Sequence, residues 1–200
     1  MKLYNEGVVI VIMLNQVLPQ TASLLISEPF MLDPNFKRSV VLLAAHGAEE
    51  GTIGYVLNQK SDFKLMDVLP ECPEADFPIY VGGPVGTDSL HFLHRCYDRM
   101  SSGMEIGKGI YWGGNFESLK LLMNNHDLEE SEVRFFIGYS GWDAGQLDKE
   151  LEQNSWLVTN NYNPEFIFSG GDADLWKSIV KGLGPKYAHM VNFPENPLWN

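Results

Sequence analysis

Four polar side chains in the first third of the chain, Asp33, Ser39, His46 and Asn58, are the residues whose types could do chemistry. An imidazole partnered by a carboxylate is a general base, and a nearby amide can orient the ring or a substrate. Glu49 and Glu50 follow His46, so Asp33 or Glu49 could serve as the carboxylate and Asn58 as the orienting group. That set would suit a small-ligand hydrolase or transferase. The plainer expectation is a loop histidine whose ring bonds a backbone carbonyl. Gly82-Gly83-Pro84 is a second feature: bare backbone that a ligand can approach closely, or a strand end that simply turns.

Other patterns exclude more than they nominate. Gly138-Tyr139-Ser140-Gly141-Trp142 has the outline of a nucleophile elbow, but Trp142 stands where the elbow needs its second glycine. An indole there would crowd the sharp turn that exposes the serine. No G-x-x-x-x-G-K-[ST] occurs and no G-x-G-x-x-G opens a helix, so nucleotide phosphates lack an evident cradle. His91, His94 and Cys96 are metal-ligand types, yet strand positions three apart point to opposite faces, so one ion could not take both imidazoles. No metal and no cofactor is expected. His126 and His189 read as surface residues. The acidic runs Asp127 to Glu132 and Asp148 to Glu152 read as solvated faces, because a catalytic carboxylate pair needs burial to separate its two pKa values.

These residues must be held by a chain of 200 residues, enough for a single domain with its own core. Hydrophobic residues make up 44% and charged residues 20%, a globular composition. Fourteen Lys and Arg against 26 Asp and Glu leave a net charge of −12. Such a chain repels phosphate backbones and anionic headgroups, so neither direct nucleic-acid binding nor membrane attachment is expected. Two cysteines, Cys72 and Cys96, form no C-x-x-C and no disulfide framework, which favours a reduced, cytoplasmic setting. The apolar run Val8 to Leu14 is too short to span a bilayer and would make a minimal signal peptide. An additional strand, or a true start at Met13, is preferred to export. Residues 1–20 are accordingly taken as an N-terminal extension and 21–200 as one domain.

The positioning elements follow from pattern. Leu24 to Ile26 begins a strand that stops at Glu28-Pro29, and Asp33-Pro34-Asn35 is a turn. Ser39 to Ala45 is an apolar, β-branched run for a strand buried on both faces, and Thr52 to Leu57 pairs with it as a hairpin. Leu65 to Leu69 reads as a helical turn, and Pro78 to Val81, Leu90 to His94 and Gly109 to Trp112 as strands, with a loop between the last two. Asn115 caps a helix whose Phe116, Leu119, Leu122 and Met123 share a face. Glu132 to Tyr139 is a strand, and Asp143 to Gln153 a helix opened by an Asp143/Gln146 capping box. Trp156 to Thr159 and Glu165 to Phe168 read as short strands, and Ala173 to Leu183 as a final helix stopped by Gly184-Pro185. Strands dominate early and helices gather late, which is α+β organisation.

Taken together, SLLISEPFMLDPNFKRSVVLLAAHGAEEGTIGYVLNQ (23–59), VGGPV (81–85), LHFLH (90–94), GIYWGG (109–114) and FFIGYSGWDAGQLDKELEQNSW (135–156) resemble the YqgE/AlgH family of bacterial proteins. Ser27 stands where alanine is common in that family. The resemblance implies a single α+β domain whose mixed or antiparallel sheet curls into a partly closed pseudo-barrel with helices packed outside. It also implies a regulatory association, since one branch is labelled a transcriptional regulator of alginate biosynthesis. The family offers no recognisable DNA-binding motif and no established catalytic residue. Its shared positions in this chain are mainly glycines and aromatics, with Asp33, Ser39, His46 and Asn58 the polar exceptions. Those four, with Gly82 and Gly83, form the candidate ligand or partner site.

Three functional readings stand in order of preference. The first is a cytoplasmic, non-enzymatic regulatory or interaction protein acting through an unidentified protein partner. The second is a purely structural role for the polar set, pinning turns through side-chain-to-backbone bonds. The third is the small-ligand enzyme, which requires His46, Asp33 and Asn58 to converge.

Overall fold

The computed structural model describes residues 17–72, 75–169 and 174–194. Val8 to Leu14 and most of the expected N-terminal extension lie outside them. Ten strands form one open mixed sheet in an α+β domain. They are β1 (Leu24–Ser27), β2 (Val40–Gly47), β3 (Gly51–Val56), β4 (Lys60–Lys64), β5 (Pro78–Val81), β6 (Val85–His94), β7 (Met104–Gly107), β8 (Ile110–Trp112), β9 (Val133–Trp142) and β10 (Trp156–Thr159). The main path runs β10-β1-β2-β3-β9-β6-β8-β7, and β4 pairs with β5, which in turn joins β9 in the single parallel pairing among the described residues.

Strand alternation sorts the core into an inner and an outer face. Leu24 and Ile26 of β1, with Val40, Leu42 and Ala44 of β2, point into one cluster that also gathers Tyr55, Tyr80, Leu93, Ile106, Ile110, Phe136 and Leu157. Leu25, Val41, Leu43 and Val56 point the other way. One face thus collects side chains from nearly every strand, including both ends of the path, so the sheet curls around it. Lys108, in the β7–β8 turn, donates to the carbonyl of Asn160 just beyond β10 at 2.9 Å and lies 4.3 Å from the centre of the Tyr162 ring. The two ends therefore approach without pairing, and the pseudo-barrel is only partly closed.

Helices cover both faces. Helix α3 (Phe116–Asn124) buries Leu119 and Met123 against the outer face of β6 and β9, and α4 (Gln146–Glu152) buries Leu147 behind β1–β3. On the inner side α6 (Leu175–Gly182) turns Leu175, Trp176, Ile179 and Val180 into the core, the face that its 3.6-residue spacing predicts. The Trp176 indole N–H donates to the carbonyl of Ser27 at 2.9 Å.

Several local expectations change. Glu165–Phe168 is a helix, α5, because Asn163 Oδ1 accepts from the Glu165 N–H and Pro164 presets the first turn; these start signals outweigh the strand-like composition EFIF. The supposed loop after His94 holds α2 (Tyr97–Met100) and β7, the latter aligned by pairing with β8. Leu65–Val68 is α1, as expected, and β4 before it carries no strand signature, because its polar residues KSDFK lie on an exposed edge. Helix α4 begins at Gln146, capped by Gly145 at φ +70°; only half of the expected capping box forms, Gln146 Oε1 accepting from the Asp143 N–H at 3.0 Å. A short helix α7 (Pro185–Ala188) and a 3-10 turn (His189–Asn192) end the described chain.

Candidate functional site

The β2–β3 hairpin distributes the polar set to its two ends. At the open end, Asn58 Oδ1 accepts from the Val40 N–H at 2.9 Å while Nδ2 donates to the Arg38 carbonyl at 2.8 Å. The amide thus replaces a ladder rung where the strands diverge. Ser39 is buried; its hydroxyl donates to the Phe36 carbonyl at 3.0 Å, and its N–H donates to Ser27 Oγ at 2.9 Å. Asp33 is exposed and closes its own turn, Oδ1 accepting from the Asn35 N–H at 2.9 Å. All three groups hold backbone.

His46 lies at the closed end, in register with Thr52, six strand positions from Val40 and therefore about 20 Å away. The structure does not bring His46 together with Asp33 or Asn58. Its Nδ1 is 2.8 Å from Thr52 Oγ1, a side-chain partner rather than the expected backbone carbonyl. A cleft of 210 Å³ opens beside the ring, lined in part by Leu18, Pro19, Thr52, Asp143 and Asp148. Those carboxylates, not Glu49, are the acidic groups lining this cleft with His46. The sequence placed Asp148 in a run read as a solvated face, and only the β3–β9 pairing carries the start of α4 to this end of the hairpin.

Gly82 and Gly83 sit where β9 changes partners. One edge of β9 pairs with β5 as far as Ile137 and with β3 from Ser140 onward. Gly82 takes a hydrogen bond on its carbonyl from the Val56 N–H and gives one from its N–H to the Ile137 carbonyl, both 2.9 Å. A Cβ at residue 82 would lie 2.3 Å from the Gly138 carbonyl oxygen, and one at residue 83 would lie 2.4 Å from the Tyr139 carbonyl. The close approach that these glycines permit is made by the protein's own backbone. Ser140 lies within β9, fully buried, and donates to the Gly82 carbonyl at 3.0 Å, so GYSGW continues a strand and builds no elbow.

Residues 142–156 are organised by Glu150. Its Oε2 accepts from the indole N–H of Trp142 at 2.9 Å and of Trp156 at 2.7 Å, and its Oε1 accepts from Gln146 Nε2 at 2.9 Å. A carboxylate read as part of a solvated run is thus the tie between α4 and two buried tryptophans. The flanking indoles at −8 and +6 were the available signal.

His91 and His94 do face opposite sides. His91 packs beside Tyr55 on the inner face and bonds Ser89 Oγ through Nε2 at 2.9 Å. His94 is fully buried on the other face, stacked on Tyr111, with Nδ1 3.6 Å from Cys96 Sγ. Burial pushes both imidazoles below the usual histidine range, opposed at His94 by the Gly113 and Ser102 carbonyls. Cys72 and Cys96 are free and buried, and burial raises both thiols, which keeps them protonated and unreactive. Among the described residues no helix is long and apolar enough to cross a membrane.

Comparison with known proteins agrees with this layout. A UPF0301 protein of Chlorobaculum tepidum is 41% identical over 177 residues, covering 88% of this chain and 94% of that one. A UPF0301 protein of Bacteroides thetaiotaomicron is 39% identical over 187 residues, covering 93% and 94%. The solution structure of the AlgH protein from Pseudomonas aeruginosa aligns with a TM-score of 0.69 at 28% identity, over 90% of this chain and 97% of that one. The crystal structure of a Corynebacterium diphtheriae protein shares the fold at a TM-score of 0.74 and 24% identity, over 88% and 94%. The AlgH-like family model spans residues 24–188, from the first residue of β1 to the last of α7, and takes in every strand described above: this chain belongs to the AlgH-like family.

Proposed function

We propose that the protein works without catalysis, as a cytoplasmic regulatory or interaction protein that engages another protein and not DNA. The observation that carries this reading is the use to which the signature's polar side chains are put: Asp33, Ser39 and Asn58 hold backbone, and Glu150 ties two indoles. His46 is the exception, half-exposed beside a cleft edged by Asp143 and Asp148. With a net charge of −12, this acidic end suits a basic protein surface and opposes a phosphate backbone. The test is an affinity capture from nuclease-treated lysate with the tagged full chain beside His46→Ala and Asp148→Asn. A stoichiometric protein partner retained by the wild type and weakened by both variants supports the reading. Sequence-specific duplex binding at physiological salt, or a small molecule turned over by the wild type and not by His46→Ala, overturns it.

A further inference from the structure

A groove of 610 Å³ lies away from the His46 cleft, bounded by the segment after β1, the α4–β10 turn and the C-terminal α7 and 3-10 turn. That volume is in the range of small-molecule sites. Its apolar surface comes from Phe30, Met190 and Phe193, with the Phe30 and Phe193 rings stacked at 5.3 Å. One wall, the α4–β10 turn, presents uncharged polar residues such as Ser155. The other presents Lys186 and His189, both exposed; Lys186 lies 5.2 Å from the Tyr187 ring centre and His189 meets Phe193 edge-on at 5.5 Å.

The charge placement is the informative part. In a chain carrying 14 Lys and Arg against 26 Asp and Glu, this groove is lined by one of each sign, Lys186 on one wall and Glu28 elsewhere in the lining, with the imidazole of His189 beside the lysine as a further hydrogen-bonding group. A ligand lying along it would rest an apolar body on the aromatic rings and place an anionic head at the Lys186 wall. We propose that the groove binds a small amphipathic carboxylic acid, with its apolar portion on Phe30, Met190 and Phe193 and its carboxylate at Lys186 and His189. Lysine suits this role as a strongly hydrated point charge that keeps one face open to solvent. The site is independent of the proposed partner surface, so either can fail alone.

The test uses the full chain and three probes of equal tail length, decanoate, decanol and decyltrimethylammonium, each below its aggregation concentration and followed by ligand-observed NMR and calorimetry. Decanoate is expected to bind saturably and at least about tenfold more tightly than decyltrimethylammonium, a factor set by one favourable charge contact at the surface of a groove. Lys186→Glu, an exposed change that leaves the core intact, should remove or invert that preference, and Phe193→Ala should weaken decanoate and decanol alike. Equal affinity for all three heads, no saturable binding, or a decanoate preference that survives Lys186→Glu combined with His189→Gln would each overturn the assignment.

Discussion

The two ends of the β2–β3 hairpin carry polar residues of similar type with opposite roles. At the open end Asn58 and Ser39 have their hydrogen-bonding capacity drawn into the backbone, and at the closed end His46 is tied by one nitrogen to Thr52 beside a cleft. The difference is one of strand geometry. Where two strands diverge, N–H and C=O groups lose their ladder partners and a nearby amide or hydroxyl is recruited to replace them. Where the strands remain paired, the backbone is satisfied and a side chain on the rim is released to face solvent. A polar residue is therefore a candidate for function according to the backbone it stands beside, not its type.

Four measurements would break or sharpen that contrast. The largest effect belongs to the crossing of Gly82 with Gly138, where a new Cβ would meet a carbonyl oxygen at 2.3 Å. Gly82→Ala should cost about 3 kcal/mol or more in urea unfolding, since rigid backbone on both sides must move. A cost below about 1 kcal/mol would show that β9 can shift there. Asn58→Ala leaves the Val40 N–H and the Arg38 carbonyl without their partner, and about 2 kcal/mol should be lost with an unchanged m-value. A neutral result would remove the distinction between the two ends.

Acidification supplies the third. His94 is buried with its folded pKa below that of the unfolded chain, so the unfolded state binds its proton first as pH falls. Stability is then fully present above about pH 6.5 and declines below it, by at most about 1.4 kcal/mol per pH unit for this one group. His91 shifts the same way and adds to the slope. His94→Gln should flatten the pH dependence of the unfolding midpoint between pH 6.5 and 5, and an unchanged slope would assign it elsewhere. The smallest effect is expected at His46: His46→Ala should alter stability by no more than about 0.5 kcal/mol while weakening partner capture. A loss as large as that at Asn58 would make both ends structural.

The sequence was most legible where one period dominated. The buried run of β2, the apolar face of α6 and the Asn115 cap, whose Oδ1 accepts from the Ser118 N–H at 3.1 Å, are each fixed by local physics and were read correctly. The polar edge strand β4 and the short β7 have no such signature, because their conformation is set by pairing with β5 and β8. The acidic run around α4 misled for the same reason. Apart from the flanking indoles, nothing local separates Glu150, which accepts from two buried indoles, from Glu152, which is exposed; the distinction is made when Trp142 and Trp156 are brought together by separate strands. The sequence grouped Asp33, Ser39, His46 and Asn58 by type, and could not show that the strand register sends His46 to the opposite end of the hairpin, beside Asp143 and Asp148.

The partner change along β9 has a consequence for how the chain is made. Strand β9 pairs with β3 and β5 on one edge and β6 on the other, yet all three are synthesised before it. Until residues 133–142 leave the ribosome, those three strands lack their common neighbour, and the sheet can exist only as the separate pieces β1-β2-β3, β4-β5 and β6-β8-β7, each with an open edge. Folding must close these long loops late, which places this protein among slow, non-local folders. Its nascent chain should depend on holding chaperones through most of translation, and a pause just after β9 emerges would help it more than one anywhere earlier.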